Sequence, residues 1–269
     1  MLIRAIVLFA IVLFINTKLF AQATETKFEV QKKQLTAATI TIPCSPDVAE
    51  EGLKEFMARK GAKPSSYKGL TVFRTFPLDS AGKESSDLYF KIEKKSSKEK
   101  DVTLITLLPT KKGEDFQKQV GADQAMVDQS KSFLNQLGPF IESHNINVQL
   151  AGQQEVLNKS KKKLAGLLDD STDLAKKIRK LETELEQNKN DLAKQQKVLD
   201  GTSTTDFEAH QKAQKKLNSL SDDKGDLEKK MRKTQADLEQ NKKDQETQRA
   251  IVQKEQDVLN AIKLKQRPG

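Results

Sequence analysis

Asp173-Leu174-Ala175-Lys176-Lys177-Ile178-Arg179-Lys180 returns 53 residues later as Asp226-Leu227-Glu228-Lys229-Lys230-Met231-Arg232-Lys233, and Leu185-Glu186-Gln187-Asn188-Lys189 returns unchanged as Leu238-Glu239-Gln240-Asn241-Lys242. The duplication carries Gln153–Leu199 onto Asp206–Val252. A tandem repeat of this length is one structural unit copied so that each copy can bury a face against a neighbour. The unit reads as helical coiled coil, because its apolar residues step alternately by three and four. In the first copy one row is Leu157, Leu164, Ile178, Leu185, Leu192 and Leu199, broken at Ser171, and the other is Leu167, Leu174 and Leu181, turning polar at Asn188 and Gln195. In the second copy the rows carry Leu217, Met231, Leu238, Val252 and Leu259, and Leu220, Leu227 and Ile262. Polar residues interrupt them at Lys224, Thr234, Asn241, Gln245, Gln248 and Glu255, and His210 and Ala213 open them.

Between the copies lies Gly201-Thr202-Ser203-Thr204-Thr205-Asp206, where Gly201 suits a helix C-cap and Thr205 with Glu208 fits a capping box. A loop this short returns the chain antiparallel to itself. A spacing of 53 is also not a multiple of the heptad, so the copies cannot continue one seam. The expectation is a coiled-coil helical hairpin over 145–263, with arms at 145–200 and 206–263 and a tail at 264–269. Asp169–Asp173 and Ser221–Asp226 are poor helix formers that would suit N-caps, so a shorter, broken bundle is the alternative. The heptad phase passes through both unshifted, which favours continuous helices. Asn188, Asn241, Gln245 and Gln248 form a polar seam, and buried amides in a coiled coil select register or oligomeric state. The weak base of the hairpin is therefore read either as the place where a partner or a second copy binds or as an end that simply frays.

The N-terminal residues have another character. Arg4 precedes the apolar run Ala5–Ile15, and Leu19-Phe20-Ala21-Gln22-Ala23 offers cleavage after Ala21 or Ala23, so residues 1–21 read as a secretory signal peptide. The run is short for an uncleaved anchor. No second apolar span follows, so the expected mature chain has no transmembrane span and is exported to the periplasm or the extracellular space. The single cysteine, Cys44, lies well beyond the processing region, which argues against a lipid-anchored N-terminus and against an intramolecular disulfide.

Residues 35–144 read as a small α+β domain with a trailing helix. Ala38–Ile42 alternates as a strand. Ser45 as N-cap, Pro46 at the first helical position, Asp47, Glu50 and Glu51 in the first turns, Arg59 and Lys60 in the last and Gly61 beyond delimit a helix with Val48, Leu53, Phe56 and Met57 inward. Strands Leu70–Phe76, Leu88–Glu93 and Val102–Leu108 follow as an antiparallel meander with turns at Asp79–Ser86 and Lys94–Asp101, giving a β-α-β-β-β order. Met126–Ile141 reads as a helix packed on this domain through Val127, Phe133, Leu134, Leu137 and Phe140, with a kink at Gly138-Pro139.

The signal ending Leu19-Phe20-Ala21-Gln22, the segment Leu88–Ser96 with Lys98–Val102, and the Asp-Leu-x-Lys-Lys and Leu-Glu-Gln-Asn-Lys blocks together resemble a family of uncharacterised exported coiled-coil proteins of Bacteroidota. The resemblance spans most of the mature chain and implies location and lineage, since that family carries no assigned activity.

The chemistry expected is correspondingly sparse. His144 and His210 are far apart in sequence, and with one cysteine the soft ligands are too few for structural zinc. No phosphate-cradling glycine loop, HExxH or nucleophile elbow occurs, so neither a cofactor nor a metal is expected, nor catalytic residues. Cys44 is the one candidate reactive thiol, placed where a helix dipole would acidify it, but Asp47, Glu50 and Glu51 oppose a thiolate and a small buried or capping residue is the favoured reading. The net charge of +9, or +7 without residues 1–21, allows membrane-surface contact. The lysine runs alternate with acids and no aromatic is placed to stack bases, so nucleic acid is not an expected partner. The expected function is a non-enzymatic exported interaction, scaffold or adaptor protein with protein partners or self-association. The alternative is a periplasmic holdase-type chaperone for exported polypeptides.

Overall fold

The computed structural model describes residues 22–30, 33–78, 85–114, 123–203 and 206–266. The signal-peptide reading of 1–21, Thr205 of the expected capping box and most of the turn Asp79–Ser86 lie outside them. The chain divides into two compact units, one running to Ala151 and taking in the residues from Lys265, the other spanning Gly152–Leu264.

In the first unit β1 (Thr24–Val30), β2 (Lys33–Ile42), β3 (Pro64–Tyr67), β4 (Leu70–Pro77), β5 (Ser85–Lys94) and β6 (Thr103–Lys111) form one antiparallel sheet in the order β1-β2-β6-β5-β4-β3. The expected meander is present as β4-β5-β6. The strand count is corrected from four to six, and the order becomes β-β-α-β-β-β-β with α1 (Pro46–Arg59) after β2. Both additional strands are edges. The sequence of β1, Thr-Glu-Thr-Lys-Phe-Glu-Val, is polar on most positions, and β3 is a four-residue strand beginning on Pro64, which can occupy an edge because no further strand needs its missing N–H. Neither buries the alternating apolar face by which inner strands are recognised. Lys68 and Gly69, with φ 49° and 79°, make the two-residue turn between β3 and β4.

One face of the sheet carries Ile40, Ile42, Phe73, Phe90, Ile105 and Leu107, and against it pack α1 and the start of α2 (Gln124–Gly201). Ser45 caps α1 by position, its carbonyl accepting the Ala49 N–H at 3.0 Å, while its side chain makes no capping bond. Leu53 and Met57 of α1 are fully buried and Val48 and Phe56 partly so. Phe133, Leu134, Leu137 and Ile141 of α2 complete this core, and Val127 of the same helix is buried as well. Phe133 is its aromatic hub, with ring centroids 5.6 Å from Phe56, 5.9 Å from Phe76 and 6.1 Å from Phe90. Two glycines set the close approaches: a Cβ at Gly138 would meet Ile40 Cδ1 at 2.9 Å, and one at Gly52 would meet Ile141 Cγ1 at 3.1 Å. The helix passes Pro139 without a break in its assigned span. Leu35, Ala37, Leu70, Val72, Tyr89 and Leu108 form a second cluster on the other face.

The second unit consists of α2 from Gly152 onward and α3 (Phe207–Gln266). Both run through the stretches Asp169–Asp173 and Ser221–Asp226 as continuous helix. The N-cap of α3 is Asp206, whose Oδ1 accepts the Ala209 N–H at 3.1 Å, in the place where sequence reasoning set Thr205. Hydrogen bonds join the two helices at residues whose numbers rise on one as they fall on the other, so within this unit they run antiparallel.

Candidate functional site

The face that α2 and α3 turn to each other is the region where the duplicated sequence acts. Leu157, Leu181, Ala213, Thr234, Asn241, Gln245, Gln248 and Leu259 are buried, and Leu164, Leu167, Leu174, Ile178, Leu185, Leu192, Leu199, Leu217, Leu220, Leu227, Met231, Leu238, Val252 and Ile262 are half-buried. Every residue of the two expected rows, His210, Lys224 and Glu255 included, lies on this less exposed stripe. The stripe is narrow, one helix face on each side, with mostly charged and amide side chains over the rest of each circumference.

Polar rungs cross the stripe. Gln195 Nε2 donates to the Ala213 carbonyl at 3.1 Å, and Gln248 Nε2 donates to the Ser160 carbonyl at 3.1 Å. These are one interaction written twice, since Gln195 and Gln248, like Ser160 and Ala213, are 53 residues apart. Asn188 Nδ2 donates to the Leu220 carbonyl at 3.1 Å. At the duplicate position the Leu167 carbonyl accepts Gln245 Nε2 at 3.3 Å, and the same Nε2 lies 2.7 Å from Asn241 Oδ1. Gln153 closes the ladder on Glu255. An antiparallel pair of equivalent segments is related by a pseudo-two-fold axis, which is why the Gln195 rung recurs as the Gln248 rung and why the Leu220 and Leu167 carbonyls both accept an amide, from Asn188 and from Gln245. The repetition reaches the surface: Asp173–Lys176 at 3.0 Å recurs as Asp226–Lys229 at 3.4 Å, and Gln187–Asp191 recurs as Gln240–Asp244.

The rungs show what the polar seam does within the unit. Gln245 and Gln248 have their amide donors bonded within the unit, and Asn241 accepts from Gln245 through Oδ1. Each bond to a carbonyl ties a side chain of one helix to the backbone of the other, so the rungs fasten the two helices together across the seam. Asn188 Oδ1 and His210 Nδ1 are buried without a hydrogen-bond partner.

The apolar surface left exposed was not anticipated from sequence. Phe207 is 76% exposed and Val198 54%, flanking the turn between the helices. Val156, Ile251 and Val258, also exposed, each precede a seam residue by one position, so they share one flank of the antiparallel pair at its far end from that turn. Singly these residues look incidental, and only the antiparallel register gathers them.

Cys44 is buried against the sheet, its carbonyl accepting the Thr103 hydroxyl at 2.6 Å. Burial first, and the charge of Glu142 second, push its thiol up to about 11, outweighing the bond from Thr103. It is therefore protonated at neutral pH and sits as a small core residue, without the acidification expected of a reactive thiol. His144 Nδ1 lies 2.8 Å from Glu55 Oε2, and His144 Nε2 4.0 Å from Glu51 Oε2, a link from α2 to α1 within the first unit. The Arg59 guanidinium, and after it His144, hold the Glu55 carboxyl below its usual range. Among the described residues no group of three or more His, Cys, Asp or Glu is arranged to hold a metal ion, and no helix is long and apolar enough to cross a membrane.

No protein-family model, curated protein or solved structure matches the chain.

Proposed function

We propose that the protein is an exported, non-enzymatic interaction protein in which α2 and α3 form a coiled-coil hairpin that acts as a stiff spacer or adaptor. The observation that carries this reading is the exposed apolar pair Phe207 and Val198 beside the turn, where Phe207 at 76% is the most exposed of the large apolar residues described. A free phenylalanine ring at a helix tip costs solubility and adds nothing to the seam, which suits a contact made with another molecule. The duplicated rungs support the spacer role, since a register held at both halves keeps the tip at a defined reach. Export rests on the run Ala5–Ile15 and the small-residue ending Leu19-Phe20-Ala21.

A photo-crosslinking residue in place of Phe207, in the full chain, tests the reading in an envelope extract. A discrete crosslinked species that is lost on Val198→Ser supports the adaptor. The holdase reading is favoured instead if the protein suppresses aggregation of an unfolded outer-membrane protein and Phe207→Ser abolishes that suppression. Neither outcome at the tip would leave the proposed contact without support and reject it.

A further inference from the structure

β3 and β4 part company at Pro64, which opposes Phe73. Beyond that pair β4 continues through Arg74–Pro77, and because β3 is the last strand of the sheet, this stretch has no strand beside it on that side among the described residues. Lys60–Lys63 and the start of β3 diverge from it, leaving a wedge-shaped basin of about 790 Å3 between Lys60–Ser65 and Arg74–Pro77. The sequence builds the wedge at two points. Pro64 has no N–H with which to extend the pairing. On the other side Arg74 and Thr75 bulge from β4 opposite the single residue Asp87, since Phe73 pairs with Leu88 and Phe76 with Ser86.

The bulge is held in an unusual conformation. Thr75 has φ 55°, a left-handed backbone that a β-branched residue rarely adopts. Asp87, 2% exposed, fixes it by accepting the Thr75 N–H at 2.8 Å and Arg74 Nη1 at 2.9 Å. Such outliers persist where surrounding structure over-determines them, and bulges recur beside binding sites. The charge of the basin is lopsided. Arg74 is matched by Asp87, whereas Lys60 and Lys63 are exposed and, among the described residues, have no carboxylate within 4.0 Å. Ala62, Phe76 and Pro77 give the wedge apolar walls between these cations.

We propose that this wedge docks an extended acidic peptide segment, which adds alongside the free end of β4 and sets its carboxylates against Lys60 and Lys63. An unpaired strand end supplies main-chain donors and acceptors for strand addition, and side-chain pockets give the selectivity. Two lysines without a carboxylate partner, Lys60 resting its Nζ 5.0 Å from the Phe56 ring centroid, select acids over bases and raise the association rate at low salt. Free phosphate would satisfy the lysines but would leave the strand end unused. The site lies on the first unit and stands or falls independently of the hairpin proposal.

The test uses the isotope-labelled full chain and three probes: a short peptide of alternating glutamate and valine, the same peptide N-methylated at every second residue, and inorganic phosphate. The expected result is amide shifts confined to Lys60–Ser65 and Arg74–Pro77 with the unmodified peptide, loss of binding on N-methylation, and affinity about tenfold lower in K60E/K63E at low salt. Both lysines are exposed, so an unchanged melting temperature certifies that variant as folded. Absence of shifts, equal binding of the N-methylated peptide, phosphate binding as tight as the peptide, or undiminished binding to K60E/K63E would each overturn the proposal.

Discussion

Replacing Asn241, Gln245 and Gln248 together by leucine should make the helix pair more stable and less certain of its register. The three side chains are buried, at 8%, 9% and 4% exposure, and their donors hold three bonds, to the Leu167 and Ser160 carbonyls and within the group. Each such bond contributes about 0.5–1.5 kcal/mol net, so the loss is about 3 kcal/mol. Both carbonyls belong to the middle of α2 and keep their intrahelical acceptor role, so no buried acceptor is orphaned. A leucine fully buried in place of a polar side chain gains about 1.5–3 kcal/mol, and three gain roughly 4–9. The seam is narrow and Ser160 is small, so the lower half applies, giving a net gain of about 2–3 kcal/mol. For a unit of this size that raises Tm by roughly 10 °C, read by circular dichroism on the full chain. A fall in Tm would refute the argument, because it would mean that the amides hold more energy than their burial costs.

Other substitutions probe the first unit and the symmetry of the second. Gln195→Ala and Gln248→Ala should each cost about 1 kcal/mol and agree with one another, because duplication gives them equivalent carbonyls to bond, those of Ala213 and Ser160; unequal chemical denaturation would break the equivalence. Phe133→Ala empties the meeting point of Phe56, Phe76 and Phe90 and should cost about 3–5 kcal/mol in denaturation of the first unit. Cys44 should resist thiol reagents at neutral pH until the fold opens. Because its folded pKa of about 11 exceeds the ordinary 9.0, stability is retained below pH 9 and falls as pH rises from 9 toward 11, and Cys44→Ala should flatten that decline. Glu55 acts in the opposite sense: its pKa is depressed by Arg59 and His144, so its contribution is present above pH 4.5 and is lost as pH falls below it, a slope that Glu55→Gln should reduce in acid titration.

The elements that bury a regular face were legible before any coordinates. Leu157 to Leu199 and Leu217 to Ile262 declare their stripe by spacing, and Pro46 to Arg59 declares a helix by its ends. What stayed hidden depends on pairing. β1 carries Thr, Glu and Lys on an edge, where nothing demands alternation, and β3 is too short to show any. The bulge at Arg74–Thr75 exists only because Asp87 stands opposite, and nothing local to Phe73-Arg74-Thr75-Phe76 announces it. Asn241, Gln245 and Gln248 look like a gap in the seam until the carbonyls of Ser160 and Leu167 are placed across from them. Phe207 and Val198 read as isolated apolar residues, since their exposure is a property of the turn that joins the helices.

The antiparallel register of α2 and α3 is tested most directly by one intramolecular distance. Spin labels at Lys161 and Arg249 flank the Gln248–Ser160 rung on exposed positions. Paired helices pack about 10 Å apart, so the labels should lie within about 20 Å, and the distance should persist when labelled protein is diluted with unlabelled chain. A distance beyond about 40 Å, or a short one that disappears on dilution, would contradict the account, since a single extended helical rod at about 1.5 Å per residue separates these positions by roughly 130 Å.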